Sequence, residues 1–317
     1  MSNKTIAKFY AFVILVVPIA AFFSACTSEL SSSGQTVSQS SYHPPKVNGI
    51  IKSPDIEESS GIAASRCQSN VLWTHNDSDD GPFIYALNDT GESLGTWKVT
   101  GAQNIDWEDI AAYKDRGGKC YIYIGEIGDN KQKRLEHTVY RIKEPIISQA
   151  NSTSNRKAPL ETEQAEIVRF RYPDFNQDAE TLMVHPQTGD IYVATKRIMG
   201  PSGIYRLKSS AAFVGGDVVK LDKVAELSVP AIPDGLLSGG DISPDGKRVI
   251  VCDYGQAYEY TLTEADPTFD SIWLKKPEPV ELGERKNGES VCYNVDGTSI
   301  FATSEGKKSP VIEVKRK

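Results

Sequence analysis

The sequence predicts an all-β fold, a β-propeller of five four-stranded blades. Three observations predict it. After residue 45, short runs of alternating apolar and polar residues recur, broken by Gly, Pro, Asn and Asp. A group of four such runs then repeats along the chain. Finally, the last group lacks its fourth run, while a spare run at 46–52 precedes the first.

The first unit reads Glu58-Ser59-Ser60-Gly61-Ile62-Ala63, then 71–77, 83–87 and 94–99. The second begins Asp106-Trp107-Glu108-Asp109-Ile110-Ala111 and continues through 120–125, 139–142 and 166–172, with a polar insertion at 149–161. The third runs Asp178-Ala179-Glu180-Thr181-Leu182, 190–195, 203–207 and 223–229. The fourth runs Gly240-Asp241-Ile242-Ser243-Pro244-Asp245-Gly246, 248–252, 257–262 and 271–275. The fifth has Gly288-Glu289-Ser290-Val291, 299–303 and 310–314. Each unit supplies strands a to d of a blade. An open ring would leave backbone groups unpaired at its edge, so the spare N-terminal strand is expected to close the C-terminal blade. Because the terminal strands are short, six blades fit the same pattern.

The chain ahead of this domain is different. Lys4 and Lys8 precede a largely apolar stretch, 9–23, too short to span a bilayer comfortably. It ends Phe23-Ser24-Ala25-Cys26, which resembles the lipobox of bacterial lipoproteins, with Phe23 in place of the usual Leu. That resemblance implies a signal peptide at 1–26, lipidation of Cys26 and a membrane-tethered product. An ordinary signal peptide or an uncleaved anchor fits the same charge pattern. All three place the domain outside the cytoplasm. Thr27-Ser28 carries no Asp retention signal, so bacterial sorting favours the outer membrane, facing the periplasm in a Gram-negative cell. Residues 27–45 are rich in Ser, Thr, Gln and Pro and read as a flexible tether, leaving 46–317 as the propeller.

Of 317 residues, 24% are charged and 39% hydrophobic, with net charge −7. That balance argues against nucleic acid, which is held by clustered Lys and Arg. The chain is expected to act as a monomer. Cys67, Cys120, Cys252 and Cys292 remain in an oxidising compartment, where three pairings are open if all are bonded. Cys67 and Cys120 fall in the a–b turns of adjacent blades and are the preferred disulfide. Cys252 and Cys292 either bond or stay as buried thiols.

In a propeller the start of strand a and the end of strand b share one mouth of the central channel. The repeat therefore gathers Glu108, Glu180 and Glu289 in one register, with Asp106 and Asp129 beside them. Crowded carboxylates must be protonated, paired or neutralised by a cation. Hard oxygen donors suit Ca²⁺; Mg²⁺ also fits, and zinc does not, because His75 is the only histidine expected there. These five acids are the candidate metal ligands. Lys196, Arg197, Asn130 and Trp107 are candidate substrate contacts. His75 and Glu305 are candidate proton carriers. The Asn76-Asp77-Ser78-Asp79-Asp80-Gly81 stretch looks like part of a calcium loop but has Leu87 where an EF-hand has Glu, so a hairpin turn is the reading adopted. Gly125-Glu126-Ile127-Gly128-Asp129-Asn130 carries two glycines that permit close backbone approach.

The stretches Asp106-Trp107-Glu108-Asp109-Ile110-Ala111, 124–130, Tyr140-Arg141-Ile142-Lys143-Glu144-Pro145, Asp178-Ala179-Glu180, 241–246, Gly288-Glu289-Ser290-Val291 and Ser304-Glu305-Gly306 together resemble a family of bacterial secreted or lipid-anchored propeller proteins. Glu126 stands where that family is expected to carry Asp. The resemblance implies fold and compartment but no particular reaction. The five-blade plan with an acidic channel is also similar, at fold level, to calcium-dependent nucleotidases and propeller phytases. Two functions follow as expectations. One is a Ca²⁺-dependent hydrolase of phosphate esters or similar small anionic substrates. The other is a non-catalytic envelope propeller that binds a protein, glycan or small ligand.

Overall fold

The computed structural model describes residues 40–78 and 80–317. The leader, Cys26 and most of the expected tether lie outside the described residues. The chain folds as a five-bladed β-propeller. Blade 1 consists of strands a to d at Gly61–Ala64, Leu72–His75, Phe83–Leu87 and Ser93–Lys98. Blade 2 has Trp107–Lys114, Cys120–Glu126, His137–Lys143 and Glu166–Arg171. Blade 3 has Ala179–Val184, Ile191–Thr195, Ser202–Leu207 and Asp222–Leu227. Blade 4 has Gly239–Ile242, Arg248–Cys252, Ala257–Thr261 and Glu278–Val280. Blade 5 has Ser290–Tyr293, Ser299–Thr303 and Pro310–Lys315, and Lys46–Ile50 adds antiparallel to Pro310–Lys315 as its fourth strand. The a strands touch in order around the ring, and the last touches the first. Among the described residues no helix is long and apolar enough to cross a membrane.

Side chains alternate across each strand, so every blade presents one apolar set to each neighbour. Five separate cores result, one per blade interface. This alternation decides the fate of two cysteines. On strand a of blade 5, Val291 and Tyr293 face blade 4 while Cys292 faces blade 1. Cys252 belongs to the interface of blades 4 and 5. The sheet of blade 5 separates the two sulfurs, and both remain free, buried thiols. Cys67 and Cys120 are joined by a disulfide between blades 1 and 2.

Two elements depart from the sequence pattern. Residues 269–274 form a 3₁₀ helix, and strand d of blade 4 comes later, at Glu278–Val280. Ile272 and Trp273 of that helix pack into the interface of blades 3 and 4, which explains their apolar spacing. The insertion at 149–161 is not a free loop. It contributes Leu160–Glu161 as a parallel fifth strand on the outer edge of blade 1. The c–d connection of blade 3 does the same for blade 2 through Val219–Lys220. Both cover edges that would otherwise offer unpaired backbone groups.

Polar groups fasten the ring. Asp109 is buried; its Oδ1 accepts from the Ile110 N–H and its Oδ2 from the Leu182 N–H, both at 2.8 Å, joining blade 2 to blade 3. Asp241 repeats the pattern with Ile242 and Tyr293, joining blade 4 to blade 5. Closure rests on Glu259 of blade 4, which is 2% exposed. It accepts from the hydroxyls of Tyr42 and Tyr293 and pairs with Arg248 and with Arg316, the last at 2.6 Å. Ser41 adds two bonds to Glu278. The end of the expected tether is thus held against blade 4.

Replacing Glu259 with Gln leaves two arginines facing a neutral amide. Urea unfolding is expected to show a loss of about 3–5 kcal/mol. Tyr42→Phe, which removes one hydroxyl from the same carboxylate, is expected to cost about 1.5–3 kcal/mol. An unchanged midpoint in both would show that closure does not depend on this carboxylate.

Candidate functional site

The acidic mouth is assembled where blades 1 and 2 meet. Asn104 precedes strand a of blade 2, and its Nδ2 donates to the Asp77 carbonyl at 2.7 Å. Its Oδ1 accepts from the Trp107 N–H. One side chain thus ties the b–c turn of blade 1 to the start of blade 2. Glu126 shapes the same corner. Its carboxylate accepts from the main-chain N–H groups of Ile105 and Asp106 and pairs with Arg134 at 2.8 Å. Its saturation makes it a clamp on the loop that carries Asp106.

Carboxylate oxygens of Asp77, Asp106 and Glu108 lie within 4.8 Å of one another. Gly128 makes this convergence geometrically allowed. A Cβ there would fall 2.1 Å from Glu108 Oε1 and 2.6 Å from Asp106 Oδ2. Only bare backbone fits beside both acids. The glycine was visible in the sequence as a site of close approach; its partners are the acids themselves. Glu108 and Glu180 each sit in a register shift of strand a, between Trp107 and Asp109 and between Ala179 and Thr181. Such bulges re-aim a side chain, here into the channel.

Burial raises these acids above their ordinary range. Glu108 is pushed well up by burial and then by Glu180. Burial also raises Glu180, although Lys196, paired with it, pulls the other way. Glu289 is raised to about 9 by burial and by Glu180 and Glu305. Asp77 is raised to about 6, chiefly by burial. Asp106 and Asp178 rise for the same first reason. Glu180 thus stands within electrostatic reach of both Glu108 and Glu289.

The other expected site residues are placed as follows. Asp129 is buried within electrostatic reach of Asp106 and Asp178, but its carboxylate is engaged: its N–H donates to Asp178, and its Oδ2 accepts from the Arg134 N–H at 2.7 Å, so it folds its own loop. Lys196 lies in the mouth, bound to Glu180, with Nζ 5.0 Å from the centre of the Tyr254 ring. Arg197 instead lies over Phe175, at 5.7 Å. Asn130 is exposed on the loop after strand b of blade 2. Glu305 accepts from Asn287 at 2.9 Å, beside Glu289.

Two expectations need correction. Trp107 is wholly buried, with Nε1 donating to the Gln103 carbonyl at 2.9 Å, so its ring packs the blade interface and is closed to substrate. His75 is equally buried, its Nδ1 engaged with the Asn76 carbonyl and its ring edge-on to Trp107. Burial lowers it to about 4, so it is neutral at physiological pH. Its carbonyl accepts from the Ser60 N–H, while the Ser60 hydroxyl donates to the Glu108 carbonyl at 3.0 Å. His75 is walled off by the packing between strands a of blades 1 and 2.

Sequence reasoning left Asp77 out of the ligand set because a hairpin turn explained it. The turn is real, but Asn104 brings it against blade 2. The signal for that, an Asn two residues ahead of Asp106, has no meaning until the blades are neighbours.

The donor set suits a hard cation. It is all carboxylate oxygen, with no sulfur and no imidazole joining the group among the described residues. Between its ordinary 4.5 and about 9, Glu289 holds a proton when folded and releases it when unfolded. Its contribution therefore weakens the folded state progressively as pH rises through that window. Glu289→Gln is expected to match the wild type near pH 5. By pH 9 it should melt higher by roughly 3 °C or more. Differential scanning calorimetry across pH, without added metal, checks this; parallel curves would show that Glu289 does not carry the strain.

No protein-family model matches the chain, and no curated protein matches it.

Proposed function

We propose that the chain is an extracytoplasmic, membrane-tethered propeller whose acidic mouth binds Ca²⁺ through Asp77, Asp106 and Glu108 and uses the ion to hold a small anionic ligand. The observation that carries this reading is the convergence of the three carboxylates from two blades, with Glu108 buried and its carboxylate free of any donor among the described residues. Holding like charges this close costs free energy that a cation offsets. The leader sequence supports the compartment, where a site of modest affinity suffices; extracellular calcium modules work at about 10⁻⁴–10⁻³ M.

A second reading, turnover of a phosphate ester, is favoured by Glu289. With its proton held to about pH 9, it would serve as a general acid for a leaving group. A bound Ca²⁺ would supply charge stabilisation for the substrate's anionic oxygens. Lys196 and Tyr254 would orient the ligand from the opposite wall. Without turnover, the same mouth serves as a docking site for an envelope protein or glycan.

Isothermal titration is expected to show one Ca²⁺ site, weakened about tenfold or more by Glu108→Gln or Asp106→Asn. Gly128→Ala, which forces both acids aside, is expected to abolish it. Unchanged affinity in all three variants would reject the site. Phosphomonoesters, nucleotides and carboxyl esters screened with and without Ca²⁺ decide the second reading. Turnover that needs Ca²⁺ and falls in Glu289→Gln supports it; none leaves only the binding role.

A further inference from the structure

The channel has a second mouth, and its chemistry is opposite to the first. Strand a of each blade runs from the acids to this end. Along blade 3, Glu180 and Val184 are four residues apart, or about 13 Å of strand. A cavity of about 600 Å³ opens here, a volume typical of small-molecule sites. Every blade contributes to its lining: Arg66 from blade 1, Lys114 and Arg116 from blade 2, Val184 from blade 3, Ile242 from blade 4 and Val295 from blade 5.

Among the described residues, Arg66 is the one lining cation with charged and carbonyl partners inside the ring. Its guanidinium reaches past blade 5 to Asp241 of blade 4, at 2.7 Å, and also donates to the carbonyls of Tyr293 and Asn294. Its charge is therefore spent within the protein. The charges on Lys114 and Arg116 are not. Both are exposed, and among the described residues neither forms an ion pair with a carboxylate. Arg116 makes one long bond, 3.4 Å, to the Gln187 carbonyl. The acid between them, Asp115, is held in its own turn by the Lys119 N–H at 2.9 Å. In a chain of net charge −7, this cavity combines an apolar wall with two uncommitted cations on one side.

We propose that this second mouth binds a small organic anion with an apolar body, an aromatic or aliphatic carboxylate or sulfonate. Its charged end sits on Lys114 and Arg116, and its body covers Val184, Ile242 and Val295. The site is independent of the calcium reading, because it shares no residue with the acidic mouth and lies about 13 Å of strand away from it.

The probe is 8-anilino-1-naphthalenesulfonate, titrated by fluorescence into the purified full chain, with decanoate as competitor and the uncharged N-phenyl-1-naphthylamine as control. One site is expected, displaced by decanoate and markedly weaker for the uncharged dye. The double variant Lys114→Glu, Arg116→Glu is expected to weaken sulfonate binding by about tenfold or more. Val295→Trp, at a half-exposed position, narrows the cavity and is expected to weaken binding. Asp106→Asn, at the other mouth, is expected to leave it unchanged. Equal binding of charged and uncharged dyes, or binding that survives the charge reversal, would overturn the proposal. The charge-reversal variant lies on the surface, so it decides the matter even if Val295→Trp does not fold.

Discussion

Everything in this protein depends on closing the ring. Five blades share five interfaces only if the last blade meets the first, and that meeting is made by strands from opposite ends of the chain. Lys46–Ile50 completes the sheet of blade 5, and Ser41 and Tyr42 then reach blade 4. The buried carboxylate of Glu259 receives Tyr42 from the N-terminal side and Arg316 from the C-terminal side. A charge this deep is tolerable only because two arginines and two hydroxyls surround it. Its desolvation makes the contact specific as well as strong: no arrangement with the termini elsewhere satisfies it.

Closure has an electrostatic consequence. The a strands are brought side by side around a narrow axis, and so are the acids at their ends. Asp77 and Glu108 lie on different blades and would not sense one another in an open sheet. In the ring they share a corner where Glu108 is buried and Asp77 partly so, and burial is the first cause that raises the proton affinity of both. Lys196 offsets part of this charge through Glu180. The remainder is the charge that the proposed cation would offset. At the far end the same closure does the reverse, leaving an apolar cavity edged by Lys114 and Arg116. Arg66, on blade 1, ties that blade to blades 4 and 5 at this end.

Chain segments between strands do more than connect. Asn104 and Glu126 shape one corner of the acidic mouth, and Gly128 supplies the space for it. The insertions after strand c of blades 2 and 3 cover the outer edges of the preceding blades. These are the parts that deviate from the repeat, and they carry the features that distinguish one blade from another.

The repeat and the closing strand are legible along the chain alone, and they point to five blades while leaving six open until the ring is seen. These follow from alternation with period two and from backbone pairing, both local properties readable along the chain. The sequence by itself also determined that Glu108, Glu180 and Glu289 share an end of the channel, since register within a repeat fixes which end a residue occupies. Tertiary structure alone decided which acids touch. Asp77 joined the group through Asn104, while the carboxylate of Asp129, though near Asp106, is taken up by the Arg134 N–H, because hydrogen bonds within and between loops have no periodic signature. Trp107 and His75 stand at the right height but face the blade interface, a matter of which side of the strand each side chain takes. The helix at 269–274 reads as a strand because a short apolar run packs equally well either way until its neighbours are in place. The cavity at the second mouth left no mark in the sequence, because its lining comes from five separated turns that only the ring brings together.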